Sequence, residues 1–153
     1  MSRDELLSAL GHEMPGYVGA AVRFNVAVAD RIGMSVADLQ CLNSVVESGT
    51  TSAGELARRV GLTSGAMTRM IDRLESSGYL RRVPDPTDRR RVLVELVPAK
   101  LASIAHHFEP MGRLWQEQLS GYTDEQLAFL VDFLRYGREF TDAEAARLRA
   151  EGR

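Results

Sequence analysis

The chain has 153 residues, 44% of them apolar and 26% charged, with a formal net charge of −2. That is enough for one ordinary domain, or a small domain with an extension, and it excludes a disordered polymer. No stretch approaches the roughly 18 unbroken apolar residues of a membrane span, the start is acidic, and the single cysteine closes no intrachain disulfide; these features predict a cytosolic protein.

The first helix is expected from about Asp4 to Ile32, with a break near Pro15-Gly16, and Gly33 ends it. Ser35 caps the next, with Asp38 three residues on to answer the capping serine; Val36, Leu39, Leu42, Val45 and Val46 recur at helical spacing. Ser52-Ala53-Gly54-Glu55 is a capping box for a short third helix that Gly61 closes. Thr63 caps a fourth, and Leu62 before it can staple onto Met67. Gly78 ends that helix. Two strand-like runs follow, Tyr79 to Val83 and Val92 to Val97, and Asp85-Pro86-Thr87-Asp88 between them has type I turn chemistry. Pro98 opens a fifth helix with an apolar stripe from Leu101 through Trp115 to Leu119. Thr123 caps a sixth, and Thr141 to Glu144 repeats the capping-box pattern before a short last one.

Charge is unevenly spread. From Leu56 to Arg91 nine arginines face four acids, a balance of +5, so the rest of the chain carries −7. Charge alone leaves two readings open, a solvated arginine face or a surface for a polyanion. Position narrows them. Two short helices joined by Gly61-Leu62-Thr63 form a helix-turn-helix, whose second helix enters the major groove of DNA. At about 100° per residue, Met67, Met70, Ile71 and Leu74 share one side of it. Ser64, Gly65, Thr68 and Arg69 fall on the other, where Thr68 can meet a base and Arg69 can take guanine bidentately. Arg73 lies at the margin and suits phosphate, as do the hydroxyls of Thr51, Ser52 and Thr63. The hairpin tip Asp88-Arg89-Arg90-Arg91 can reach a minor groove, and Asp88 can orient Arg90 by a bidentate pair.

At these residues the chain resembles the MarR family of bacterial transcription regulators. The resemblance is carried by Gly54-Glu55-Leu56-Ala57, Leu62-Thr63-Ser64, Thr68 to Glu75, Gly78-Tyr79-Leu80-Arg81-Arg82, and Asp85-Pro86-Thr87-Asp88-Arg89-Arg90 leading into Val92 to Leu96. It implies a mainly α fold with a small β-hairpin wing: a winged helix-turn-helix lobe over 35–97 between N- and C-terminal dimerisation helices at 1–34 and 98–153. It implies a homodimer on a pseudo-palindromic double-stranded DNA operator, with Arg90 in the minor groove and Ser64, Gly65, Thr68 and Arg69 in the major groove. It further implies a repressor released by a small aromatic effector bound between the dimerisation helices and the lobe, where Tyr17, Phe24 and His107 are the candidates. The long stripe from Leu101 to Leu119 calls for a partner surface independently. Val18, Val22 and Val26 supply part of it.

Two alternatives remain at this level. A winged helix can serve as a protein-interaction module, although a triple-arginine tip then has no purpose. Cys41, between Leu39 and Leu42, reads either as a thiol sensor or as a small buried hydrophobe with no basic neighbour to activate it. His106 and His107 are adjacent, so they point about 100° apart and suit a single ion poorly. The sequence has no phosphate-binding glycine loop, nucleophile–base motif or metal-ligand spacing, so no enzyme, cofactor or metal is expected. The wing assignment is tested by Arg90→Ala. Affinity for duplex DNA at fixed salt should fall strongly while melting temperature and mass in solution stay unchanged; unaltered affinity refutes it.

Overall fold

A computed structural model describes residues 1–88 and 91–151. Its order is α1 (Arg3–Arg31), α2 (Val36–Ser48), β1 (Thr51–Ser52), α3 (Ala53–Val60), α4 (Ser64–Ser76), β2 (Leu80–Pro84), β3 (Val92–Leu96), α5 (Pro98–Leu119) and α6 (Asp124–Glu151). The caps that the sequence marks set most of these ends. Ser35, Ser52 and Thr63 each accept a hydrogen bond from the third residue of the helix they open. The Glu55 side chain returns to the Ser52 backbone, completing the box.

Two expectations are corrected and two are extended. Helix α1 runs unbroken through Pro15, and α5 likewise continues through Pro110. The carbonyl orphaned by Pro15 is that of Gly11, which is exposed and can be hydrated. The last two expected helices are one, α6, because the Thr141 hydroxyl donates to the Gly137 carbonyl within it rather than capping a new start. The expected hairpin is present as β2 and β3, and β1 adds a third strand, giving the order β1-β3-β2, antiparallel throughout; Thr51 pairs with Val94 and Leu80 with Leu96. The Asp38 carboxylate, beside Ser35, also takes a tertiary partner that the sequence did not mark, Arg73 on α4.

The buried core is confined to residues between Val28 and Ile104. Leu39, Leu42 and Val45 of α2 meet Leu56 of α3, the four apolar residues of α4, and Leu80 and Val94 of the sheet. The last turns of α1 and the first turns of α5 join this core through Val28, Ala29 and Ile104. Beyond it α1 meets α5 through rings rather than through the valine row. Phe24 packs edge-on to Phe108 at 5.4 Å, and Tyr17 to Trp115 at 6.1 Å. Val18, Val22 and Val26 stay exposed, as do Leu114 and Trp115 of α5 and Phe129, Leu134 and Phe140 of α6. No residue of α6 is buried.

Cys41 is fully buried in this core. Burial, reinforced by the Asp38 carboxylate and only partly opposed by Arg73, pushes its thiol up to about 11. At neutral pH the reactive thiolate is therefore scarce and enclosed, which favours the packing role over the sensing one.

Candidate nucleic-acid interface

Helix α3 ends at Gly61, whose φ of 74° is the left-handed conformation that glycine adopts without a Cβ clash. Two residues later Thr63 opens α4, so the helix-turn-helix is as tight as the sequence suggests. Met67, Met70, Ile71 and Leu74 are all buried, which fixes the rotation of α4 about its axis. Thr63, Ser64, Gly65, Thr68 and Arg69 are exposed together on the opposite side.

Their chemistry is partly committed. The Thr68 hydroxyl donates to the Ser64 carbonyl at 2.9 Å. It therefore offers a base its oxygen lone pair and its methyl group, not its proton. A Cβ on Gly65 would lie 3.9 Å from Nη1 of Arg69, so this guanidinium lies back over the first turn of α4. That follows the N-terminal tilt of helical side chains and places Arg69 beside Ser64 and Gly65. Thr51 departs from expectation. It is buried in β1 and its hydroxyl donates to Glu55, so it does not offer the exposed hydroxyl expected of it. The Ser52 hydroxyl is half-buried and engaged twice with Glu55, donating to its carboxylate and accepting from its backbone N–H.

Carboxylates beside this surface are taken up by arginines. Arg82 on β2 pairs with Asp72 at 2.6 Å and also with Glu75, and its backbone N–H donates to Glu75. The wing is thus fastened to the outer side of α4, and one guanidinium partly offsets the two carboxylates that share it. Arg81 pairs across the sheet with Glu95. Arg73, expected as a free phosphate ligand, is held by Asp38 through Nε at 3.3 Å and Nη2 at 2.5 Å.

The wing tip is organised by Asp85, a residue the sequence marked only as the start of a turn. Its carboxylate is buried and accepts from the Thr87 hydroxyl at 2.7 Å, the Thr87 N–H at 2.8 Å and the Asp88 N–H at 3.3 Å. These bonds, led by those from Thr87, hold its pKa below the usual value, with a smaller contribution from Arg91. The Arg91 backbone closes the same loop, donating to the Asp88 carbonyl and accepting from the Asp85 N–H. Asp-Pro-Thr is a recognisable Asx pattern, so this role had a sequence signal. Arg89 and Arg90 lie outside the described residues, and with them the Asp88–Arg90 pair.

The effector candidates stand along the seam between α1 and α5. Tyr17 is half-exposed against Trp115, Phe24 is half-buried against Phe108, and the His107 ring faces His106 at 5.9 Å. Among the described residues no group of His, Cys, Asp and Glu could hold a metal ion, and no helix is long and apolar enough to cross a membrane.

Comparison with known proteins gives the same picture. The profile of the MarR family matches residues 34–92. The HTH-type transcriptional regulator YcgE of Bacillus subtilis is 34% identical over 128 residues, 84% of this chain and 83% of its own length. The multiple antibiotic resistance protein MarR of Salmonella typhimurium is 32% identical over 105 residues, 68% of this chain and 73% of its own. A crystal structure of a mutant MarR from E. coli, complexed with operator DNA, superposes with a TM-score of 0.54 at 26% identity, covering 89% of this chain and 98% of the other.

The placement of Arg69 makes a specific prediction. Arg69→Ala should relax sequence preference, at a cost of about 1–3 kcal/mol on a preferred site and much less on random duplex. Binding isotherms on both DNAs check this; equal losses on the two make Arg69 a phosphate contact.

Proposed function

The chain belongs to the MarR family of transcription regulators, and from that premise we propose how it reads its operator. A homodimer sets two copies of α4 in successive major grooves of a pseudo-palindrome. In each, Ser64, Gly65, Thr68 and Arg69 meet the bases, Thr63 and Arg73 meet phosphates, and the arginines of the wing tip reach the flanking minor groove. The observation that carries this reading is the exposed face of α4. It is small, polar and cationic at its N-terminal end, and Asp72 and Glu75 alongside it share Arg82.

The dimer rests on the arms. Large apolar side chains of α1, α5 and α6 stand exposed in the single chain, Phe129 at 67% and Phe140 at 72%. Exposed apolar side chains in this number mark an interface. A two-fold axis through the arms doubles the phosphate contacts and fixes half-site spacing at about 34 Å. A cytoplasmic regulator of this design acts as a repressor, and a small aromatic effector entering the ring-lined seam of α1 and α5 at Tyr17, Phe24 and His107 releases it.

Selection of bound duplexes from a random pool tests the reading. It should return two inverted half-sites about one helical turn apart, and light scattering of the full chain should give twice its 16.9 kDa. A single asymmetric site, no enrichment, or a monomer would each refute it. For the effector seam, the single tryptophan is Trp115, which touches Tyr17. Titration with small phenolic acids should change its emission and lower operator affinity together. Displacement from DNA with no change in Trp115 emission places the effector elsewhere.

A further inference from the structure

We propose that Asp38 is a positioning residue for DNA reading, one that holds the Arg73 guanidinium in a single orientation at the end of the recognition helix. The inference rests on the operator reading above and extends it to a residue of another helix, far in sequence from the reading face.

Asp38 stands in the first turn of α2 with its side chain 8% exposed. Capping of α2 does not require that carboxylate, because the Ser35 hydroxyl accepts from the Asp38 backbone N–H. An ion pair with one partner buried and the other half-exposed is also a poor device for stability alone, since desolvating the carboxylate offsets part of the attraction and solvent screens the rest. What the pair does supply is geometry. Two parallel donors of Arg73, Nε and Nη2, meet the two oxygens of one carboxylate, and this fork fixes the plane of the guanidinium.

The rest of Arg73 faces outward. Its side chain is 54% exposed, and Nη1 makes no hydrogen bond to a described residue. That edge is available to a DNA phosphate at a place set by α2 rather than by a flexible side chain. The carboxylate stays ionised at neutral pH. Burial raises its pKa, but the bonds from Arg73 and Ser35 outweigh this and the net shift is downward.

Pairing also changes what Arg73 contributes electrostatically. A guanidinium already neutralised by Asp38 adds little to the non-specific attraction for a polyanion, which depends on uncompensated charge. Its contact forms only where the phosphate falls in the prepared place, on a correctly docked site. Phosphate contacts carry no sequence directly, but they set the register in which bases are read. Arg69 differs: among the described residues it makes no ion pair, so it is both a base reader and a source of general attraction.

The test compares the wild-type chain with Asp38→Asn and Arg73→Lys, on the selected operator and on a random duplex of equal length, over a range of salt. Asparagine keeps the volume and the backbone cap but lacks the charge. Lysine keeps the charge but cannot fill both carboxylate oxygens in one plane. Each should lower operator affinity by about tenfold, the scale of one charge-assisted contact. For Asp38→Asn, random-duplex affinity should hold or rise and the salt dependence on operator should steepen. Equal losses on both DNAs would show a merely structural role and overturn the inference, as would an unchanged ratio in either variant. If Asp38→Asn fails to fold, Arg73→Lys decides alone. A wild-type chain with no operator preference overturns the functional reading itself; a preference that both variants retain overturns only this inference.

Discussion

Everything the reading face does depends on α4 being pinned in rotation. Four side chains at helical spacing, Met67, Met70, Ile71 and Leu74, enter a core built by α2, α3 and the sheet. Burying each is worth about 1.5–3 kcal/mol, and a turn of the helix by one residue would expose part of that set. The penalty for rotation therefore exceeds what a few polar contacts could offset. The outward direction of Thr68 and Arg69 is set by burial on the far side and not by the residues of the reading face themselves. This is why that face can be small and polar, and can carry a glycine, without loss of order.

The second constraint is electrostatic. A surface that meets a polyanion carries a cost for each uncompensated carboxylate, yet acids are needed nearby for caps and turns. The chain resolves this by giving those acids local partners. Asp72 and Glu75 share Arg82, Glu95 takes Arg81, and Asp85 is ringed by Thr87, the Asp88 N–H and Arg91. The exposed pairs among these, those of Arg81 and Arg82, add little to stability. Their contribution here is to the sign of the field, and in the case of Arg82 to the attachment of the wing to α4. The acidic net charge of the chain is compatible with DNA binding because it resides mainly in the arms.

Local rules made much of this legible in the sequence. Caps and glycines marked the helix ends around the turn, and periodicity identified the buried face of α4 residue by residue. What escaped had physical reasons. A two-residue strand such as β1 has no period to detect, so Thr51 read as a surface hydroxyl when the sheet buries it. Thr141 and Glu144 match a capping box, but a threonine in mid-helix can bond back to the carbonyl four residues earlier, and sequence alone does not separate the two uses. Pro15 signals a break only if its orphaned carbonyl lacks water. The Asp38–Arg73 pair joins positions 35 residues apart, and no local pattern encodes it. Asp38 fitted a capping role so well that its tertiary role was hidden.

The arms show how far packing of one chain can go. Val28, Ala29 and Ile104 tie α1 and α5 to the lobe, yet beyond Phe24 and Phe108 the two helices meet by rings and leave their aliphatic rows open. A 28-residue α6 with nothing buried cannot draw its order from this chain's core. Isolated helices are marginal in water, and most helical stability comes from packing an apolar face. In α6 Phe129, Leu134 and Phe140 must find that packing elsewhere, and a two-fold copy offers a surface of the same composition. The lobe would then be complete within one chain while the arms would be complete only in two. Such a division would suit a regulator: α4 keeps a fixed rotation within its own lobe, while in the proposed dimer the distance between two copies of it would be set by helices outside the lobe.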